Sequence, residues 1–239
     1  MSSRNSAVDS KHLAQTWQGI ASIIDHTLLR PEATPSQVIR LCQEAREFRF
    51  CSVMVNPCYV SLASSQLQGS DVKIGAVVGF PLGATLSSVK VFEAAETMKL
   101  GAREIDMVMN IGALKAGERE VVSADIRAVA EVVHAQKALL KVILETGLLT
   151  NDEKLLACEL AEKAEADFVK TSTGFLGGVA TVEDVALMRR AVKIGVKASG
   201  GIRTAADARA MIEAGANRLG TSSGVNIIRE LRGESNGQK

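Results

Sequence analysis

Two lysines stand in unusually apolar company. Lys170 lies in Ala166-Asp-Phe-Val-Lys-Thr-Ser-Thr-Gly-Phe175, a short apolar run that turns into a Ser/Thr/Gly-rich loop, and Lys197 lies in Ile194-Gly-Val-Lys-Ala-Ser-Gly-Gly-Ile202. Lysine is among the residues least often fully buried. Desolvation disfavours the ammonium, so an interior lysine is driven toward the neutral amine, a nucleophile. The chemistry this allows is imine formation: one lysine condenses with a carbonyl and the other, as a nearby cation, tunes it. A free lysine near pKa 10.4 leaves roughly one molecule in 2,500 neutral at pH 7, and lowering it by about 3 units takes roughly 4 kcal/mol. Asp106, in Glu104-Ile-Asp-Met-Val-Met-Asn110, adds a carboxylate between apolar neighbours that could relay protons. Asp25, Lys141 and Glu145 are further ionisable residues in apolar runs. Asp25 and Lys141 read equally well as a structural ion pair. An interior holding Asp25, Asp106, Lys141, Lys170 and Lys197 would be mildly cationic.

Such residues need a scaffold that aims alternate side chains inward. Eight apolar, β-branched runs fit strands covered on both faces: 22–29, 50–56, 73–80, 104–110, 140–146, 167–173, 194–199 and 218–221. Amphipathic stretches separate them, at Pro35–Phe48, Tyr59–Gln68, Thr85–Leu100, Glu118–Gln136, Asn151–Ala164, Thr181–Lys193, Ala205–Ala214 and Ser223–Leu231. Thr34 before Pro35, and Asn151, Thr181 and Thr204, are the expected N-caps, with Gly101 a C-terminal stop. Eight β/α units predict an α/β protein, a (β/α)8 TIM barrel, with a short helix near Lys11–Gly19 closing one end. The rival, an open doubly wound sheet, lacks a GxGxxG after the first strand. One domain is expected over residues 11–232, between a disordered arm (1–10) and a flexible tail (233–239).

In a barrel the chemistry sits at the C-terminal strand ends, where phosphate is often held after strands seven and eight. Ser199-Gly-Gly-Ile-Arg203 and Gly220-Thr-Ser-Ser-Gly224 fall there, with Gly174 on the neighbouring loop. Glycines let the backbone approach an anion, and a helix N-terminus offers free N–H groups to it. Gly174, Gly200, Gly201, Arg203, Ser222 and Ser223 are therefore the candidate phosphate contacts. His26 is expected to be a core histidine bonded to backbone.

Composition removes other functions. The 239 residues are 46% hydrophobic but only 3% aromatic, so the core must be aliphatic. A net charge of +1 gives no case for nucleic acid or an acidic membrane surface. No apolar run approaches the ~20 residues of a membrane span. Cys42, Cys51, Cys58 and Cys158 have no CxxC spacing, and His12, His26 and His134 are scattered, so no metal or other cofactor is expected. The cysteines read as packing residues in a reducing cytoplasm.

Seven motifs carry a resemblance. They are Ile24-Asp-His-Thr-Leu-Leu29, Val78-Gly-Phe-Pro-Leu-Gly83, Glu104-Ile-Asp-Met-Val-Met-Asn-Ile-Gly112 and Leu140-Lys-Val-Ile-Leu-Glu-Thr146, then Phe168-Val-Lys-Thr-Ser-Thr-Gly-Phe175, Val196-Lys-Ala-Ser-Gly-Gly-Ile-Arg203 and Leu219-Gly-Thr-Ser-Ser223. In this order, over roughly residues 20–230, the chain resembles the bacterial-type deoxyribose-phosphate aldolases. The resemblance implies a metal-free class I aldolase that reversibly cleaves 2-deoxy-D-ribose 5-phosphate to D-glyceraldehyde 3-phosphate and acetaldehyde. It implies that Lys170 is the Schiff-base lysine, Lys197 the second lysine that lowers its pKa, and Asp106 the relay carboxylate. The resemblance implies phosphate contacts from Gly174, Gly200, Gly201, Ser222 and Ser223; from their places in the strands and loops, Asp25, Thr27, Lys141 and Arg203 are expected as further substrate contacts. One departure is Met54-Val-Asn-Pro57, where many relatives begin with cysteine; a thioether forms no thiolate, so that position offers no thiol chemistry. The alternatives are another Schiff-base aldolase or a transaldolase on a different phosphorylated sugar, or a non-catalytic sugar-phosphate-binding barrel. A homodimer or higher homo-oligomer is expected.

Overall fold

In the computed structural model, which describes residues 16–234, the strand-forming runs close on themselves. The strands are β1 (Ile24–Leu28), β2 (Ser52–Val55), β3 (Lys73–Val78), β4 (Glu104–Val108), β5 (Leu139–Ile143), β6 (Phe168–Lys170), β7 (Gly195–Ser199) and β8 (Arg218–Thr221). All neighbours are parallel and β8 pairs with β1, so no sheet edge remains. This is the (β/α)8 barrel expected from the alternation.

Helices start where side chains satisfy their free N–H groups. Thr181 Oγ1 accepts from Asp184 N and Thr204 Oγ1 from Asp207 N, as expected. The helix Pro35–Phe48 begins at Thr34, whose N–H donates to Gln37 Oε1. The helix Asn151–Lys163 departs from expectation: Thr150 is its cap, bonded reciprocally with Glu153, and Asn151 is the first helical residue. A short helix, Ile111–Lys115, was not foreseen; Asn110 Oδ1 caps it by accepting from Ala113 N. The first described helix is Trp17–Ala21, capped by Thr16 rather than starting at Lys11. Arg232 holds it from the far end of the chain, its guanidinium 3.9 Å from the Trp17 ring centroid and 5.2 Å from that of Phe48. Residues 11–15, the arm 1–10 and tail residues 235–239 lie outside the described residues. No helix among the described residues is long and apolar enough to cross a membrane.

Apolar residues separate into two bodies. Most, including Ile105, Val142, Val169 and Val196, fill the layer between strands and helices. A small separate cluster of Leu29, Met54 and Val77, with Phe80 against it, lies inside the barrel. Met54 thus serves packing in a fully buried position. Much of the remaining interior is charged, although Val108, Ile143 and Phe168 share the inward face with Asp106, Lys141 and Lys170, and this is unusual for a layer that branched aliphatics normally fill. Cys42 and Cys158 are buried, as expected, but Cys58 is exposed and is no packing residue.

Candidate active site

Strand register brings the charged residues together. Lys170 and Lys197 are Cα partners across β6 and β7, Asp106 and Lys141 across β4 and β5, and Lys197 and Arg218 across β7 and β8. The period of two points each of them into the barrel. Gly220, the partner of Ser199 and Asp25, makes room: a Cβ there would fall 3.0 Å from Lys197 Cε and 2.8 Å from Ser199 Cβ.

Asp106 is the hub. Its Oδ1 accepts from Lys141 Nζ at 3.0 Å, and its Oδ2 accepts from both Lys170 Nζ at 2.9 Å and Lys197 Nζ at 2.8 Å. Asp25 Oδ1 accepts from Ser52 Oγ and Arg218 Nη1, each at 2.6 Å, while Lys197 Nζ sits 2.5 Å from Oδ2 as a charge contact. Glu104 completes the network, accepting from Lys141 at 2.6 Å and from Arg218. Three carboxylates therefore face four cations in a buried interior. Burial at this depth is tolerable only because every charge has an opposite partner.

The electrostatic consequence differs from residue to residue. Burial pushes the Lys170 amine down, Asp106 opposes that push, and Lys197 and Lys141 reinforce it; the result is about 8. Burial alone would raise Asp106, but Lys141, Lys170 and Lys197 outweigh it and hold the carboxyl well below its usual range. Asp25 is likewise held low against burial by Lys197, Arg218 and Lys141. Lys141 moves up, because Asp106, Glu104 and Asp25 overcome its desolvation. Of the interior lysines, only Lys170 lines the cavity at the C-terminal strand ends, a space of about 570 Å3.

That cavity is also lined by Thr27, Gly174, Gly200, Gly201, Arg203 and Ser222. Gly200 and Gly201 have φ of +97° and +79°, the left-handed region that favours glycine, and so turn the chain at the cavity wall. The surroundings of four residues differ from those expected. Asp25 and Lys141 do not reach the cavity: both are fully buried below it, and they pair with other residues rather than with each other. Ser223 sits at the start of the helix Gly224–Leu231, its N–H already donated to Thr221 Oγ1, and faces a neighbouring hollow with Arg40 and Arg229. His26 bonds to the Glu44 carboxylate through Nε2 at 2.8 Å, not to backbone.

Sequence reading missed Glu104 and Arg218. Both carried a signal, since Glu104 lies two residues before Asp106 and so shares its face, and Arg218 opens β8 two residues before Gly220. In sequence Arg218 reads only as the first residue of the strand expected over 218–221.

A parallel barrel whose interior suspends a lysine of depressed pKa under an open cavity, against a carboxylate shared with a second lysine, has the equipment of amine-catalysed carbonyl chemistry. Comparison with known proteins narrows that class. The chain matches the DeoC/LacD family of aldolases over residues 20–230 and belongs to it. It is 58% identical over 217 residues to the deoxyribose-phosphate aldolase of Thermoanaerobacter sp. (strain X514), covering 88% of this chain and 96% of that protein. The deoxyribose-phosphate aldolase of Streptococcus sanguinis (strain SK36) is 57% identical, covering 86% and 94%. Among solved structures, the tetrameric deoxyribose phosphate aldolase of Aeropyrum pernix superposes with a TM-score of 0.87 at 33% identity, covering 95% of this chain and 98% of that one.

Proposed function

We propose that the protein is a class I aldolase that reversibly cleaves 2-deoxy-D-ribose 5-phosphate to D-glyceraldehyde 3-phosphate and acetaldehyde, with Lys170 as its nucleophile. The observation that carries this reading is the position of Lys170, the interior lysine that meets the cavity and has an amine near pKa 8. At pH 7 an amine of that pKa is neutral in roughly one molecule in ten, against one in thousands for a free lysine.

The neutral amine adds to the C1 aldehyde of the open-chain sugar, and the carbinolamine loses water to give an iminium. Loss of the C3 hydroxyl proton then breaks the C2–C3 bond, with the electron pair delivered into the iminium to form an enamine. Glyceraldehyde 3-phosphate departs, the enamine carbon is protonated, and water returns acetaldehyde and the free lysine. Asp106 touches both Lys170 and Lys197, so it supplies the route by which protons move between the amine and its surroundings. Gly174, Gly200, Gly201, Arg203 and Ser222 border the cavity and are assigned to the phosphate end, with Thr27 nearer the sugar. Asp25 and Lys141 act from below, as charge partners of the groups that react.

The same proposal includes a homo-oligomer. The Aeropyrum pernix relative is tetrameric, and Leu82, Leu86, Val89 and Phe92 expose large apolar surfaces within eleven residues of one another. The four free cysteines suit the reducing cytoplasm. A panel of phosphorylated aldoses and ketoses tests the substrate. Release of acetaldehyde from 2-deoxy-D-ribose 5-phosphate, well above that from every other sugar, is expected. Faster cleavage of a different phosphorylated sugar would transfer the assignment to that substrate.

A further inference from the structure

Glu145 is a fully buried carboxylate with little to hold it. Its Oε2 accepts from Thr173 N at 2.9 Å, and its Oε1 has no hydrogen-bond partner among the described residues. Its backbone stands at φ 57° and ψ 62°, a left-handed conformation that a non-glycine residue keeps only when its surroundings over-determine it. A buried, half-satisfied carboxylate on a strained backbone calls for an explanation, and a functional role supplies one.

What it holds is the turn after β6. Thr173 lies three residues beyond Lys170, and its Oγ1 accepts from Phe175 N at 3.1 Å, closing a turn through Gly174, whose φ is +82°. Thr173 and Gly174 both line the cavity. The β7 side of this segment is fixed separately, by Thr171 Oγ1 donating to Ser199 O and by Ser199 Oγ donating to Ser172 O. On the β5 side Thr146 N donates to Thr171 O at 3.0 Å, and Glu145 is the anchor that reaches Thr173. Anion binding by backbone depends on where the N–H groups point, so an anchor one residue away from Gly174 sets that aim.

We propose that Glu145 is a positioning residue for the phosphate group, holding the Thr173–Gly174 turn in its anion-facing shape without touching substrate. This rests on the functional reading above and adds a residue to it. Gly178 provides a second handle, because a methyl added there would lie 2.6 Å from Glu145 Oε1, at the free end of the carboxylate, so the carboxylate must shift.

The test compares the wild-type chain with Glu145→Ala, Glu145→Gln and Gly178→Ala on 2-deoxy-D-ribose 5-phosphate and on 2-deoxy-D-ribose, with calorimetric binding of inorganic phosphate alongside. Glu145→Ala and Gly178→Ala are expected to raise KM for the phosphorylated sugar about tenfold (~1.4 kcal/mol) while kcat changes less than about threefold. Both should weaken inorganic phosphate by a similar factor and leave kcat/KM on 2-deoxy-D-ribose within about threefold. Glu145→Gln keeps an acceptor oxygen for Thr173 N and should stay near wild type. Equal losses on the two sugars, or unchanged phosphate affinity in both alanine variants, would overturn the proposal. If Glu145→Ala does not fold, Gly178→Ala decides alone. The phosphate measurement needs no turnover, so a wild-type chain that binds phosphate without cleaving the sugar fails the functional reading while the effect of the variants on phosphate affinity still decides the role of Glu145.

Discussion

Lys170 and Lys197 face each other in register on adjacent strands and donate to a single oxygen, Asp106 Oδ2, at 2.9 and 2.8 Å. Two cations on one acceptor are relieved when either loses a proton. Lys197 has a second carboxylate, Asp25, at 2.5 Å. Lys170 has no second carboxylate within salt-bridge distance among the described residues, and it is the one that meets the cavity. The geometry therefore divides the labour: Lys170 is the amine that meets the cavity, and Lys197 is braced behind it between two carboxylates.

Replacing the nucleophile separates chemistry from folding. Lys170→Leu removes an amine that burial disfavours, so the variant should fold with an unchanged circular dichroism spectrum. Cleavage of 2-deoxy-D-ribose 5-phosphate should fall roughly a thousandfold or more, since covalent catalysis has no substitute in the site.

The pH dependence follows from the amine near 8. Only the neutral form attacks, so kcat/KM should rise with pH and reach half its plateau near pH 8. The same group links stability to pH. Its folded pKa lies below the unfolded value of about 10.4, so between about pH 8 and 10 the unfolded chain binds more protons and stability rises with pH. Across that window wild type should gain up to roughly 3 kcal/mol on Lys170→Leu in paired urea melts. Parallel stability profiles would contradict the depressed pKa.

Lys197→Leu removes a cation that helps hold the Lys170 amine down. The acidic limb of the kcat/KM profile should move to higher pH, and activity at pH 7 should fall by about tenfold for each pH unit of movement. A variant that loses activity with the limb unmoved would assign Lys197 a different role.

Arg218 holds two buried carboxylates, Asp25 and Glu104, with its guanidinium 5.6 Å from the centroid of the Phe168 ring. Arg218→Leu strands part of that negative charge and should destabilise the fold by about 3–5 kcal/mol in urea unfolding. Adding Glu104→Gln should recover part of the loss, because one of the stranded charges is then neutral.

Much of this was legible in the residues because it depends on period. Strand alternation places Asp106, Lys170 and Lys197 on the inner face, and the β/α repeat fixes the barrel that aligns them. The pairing of Asp25 was not legible, since its partners Lys197 and Arg218 come from strands far along the chain and meet it only when β8 closes on β1. Glu145 looked like one more strand residue; its conformation is a left-handed backbone after β5 that no pattern in Leu140–Thr146 announces. Strand six was expected to run to residue 173 but stops at Lys170; beyond it Thr171 and Ser172 are held by Ser199 through side-chain bonds. Ser223 matched a phosphate motif, yet its N–H is occupied by Thr221.

The central claim is that the amine of Lys170 forms the imine, and reductive trapping reads it directly. The wild-type protein is incubated with acetaldehyde and sodium borohydride, digested, and its peptides are weighed by mass spectrometry. An ethyl adduct on the peptide carrying Lys170, absent without borohydride, is the predicted result. An adduct confined to Lys141 or Lys197, or none on an actively cleaving enzyme, would contradict the account.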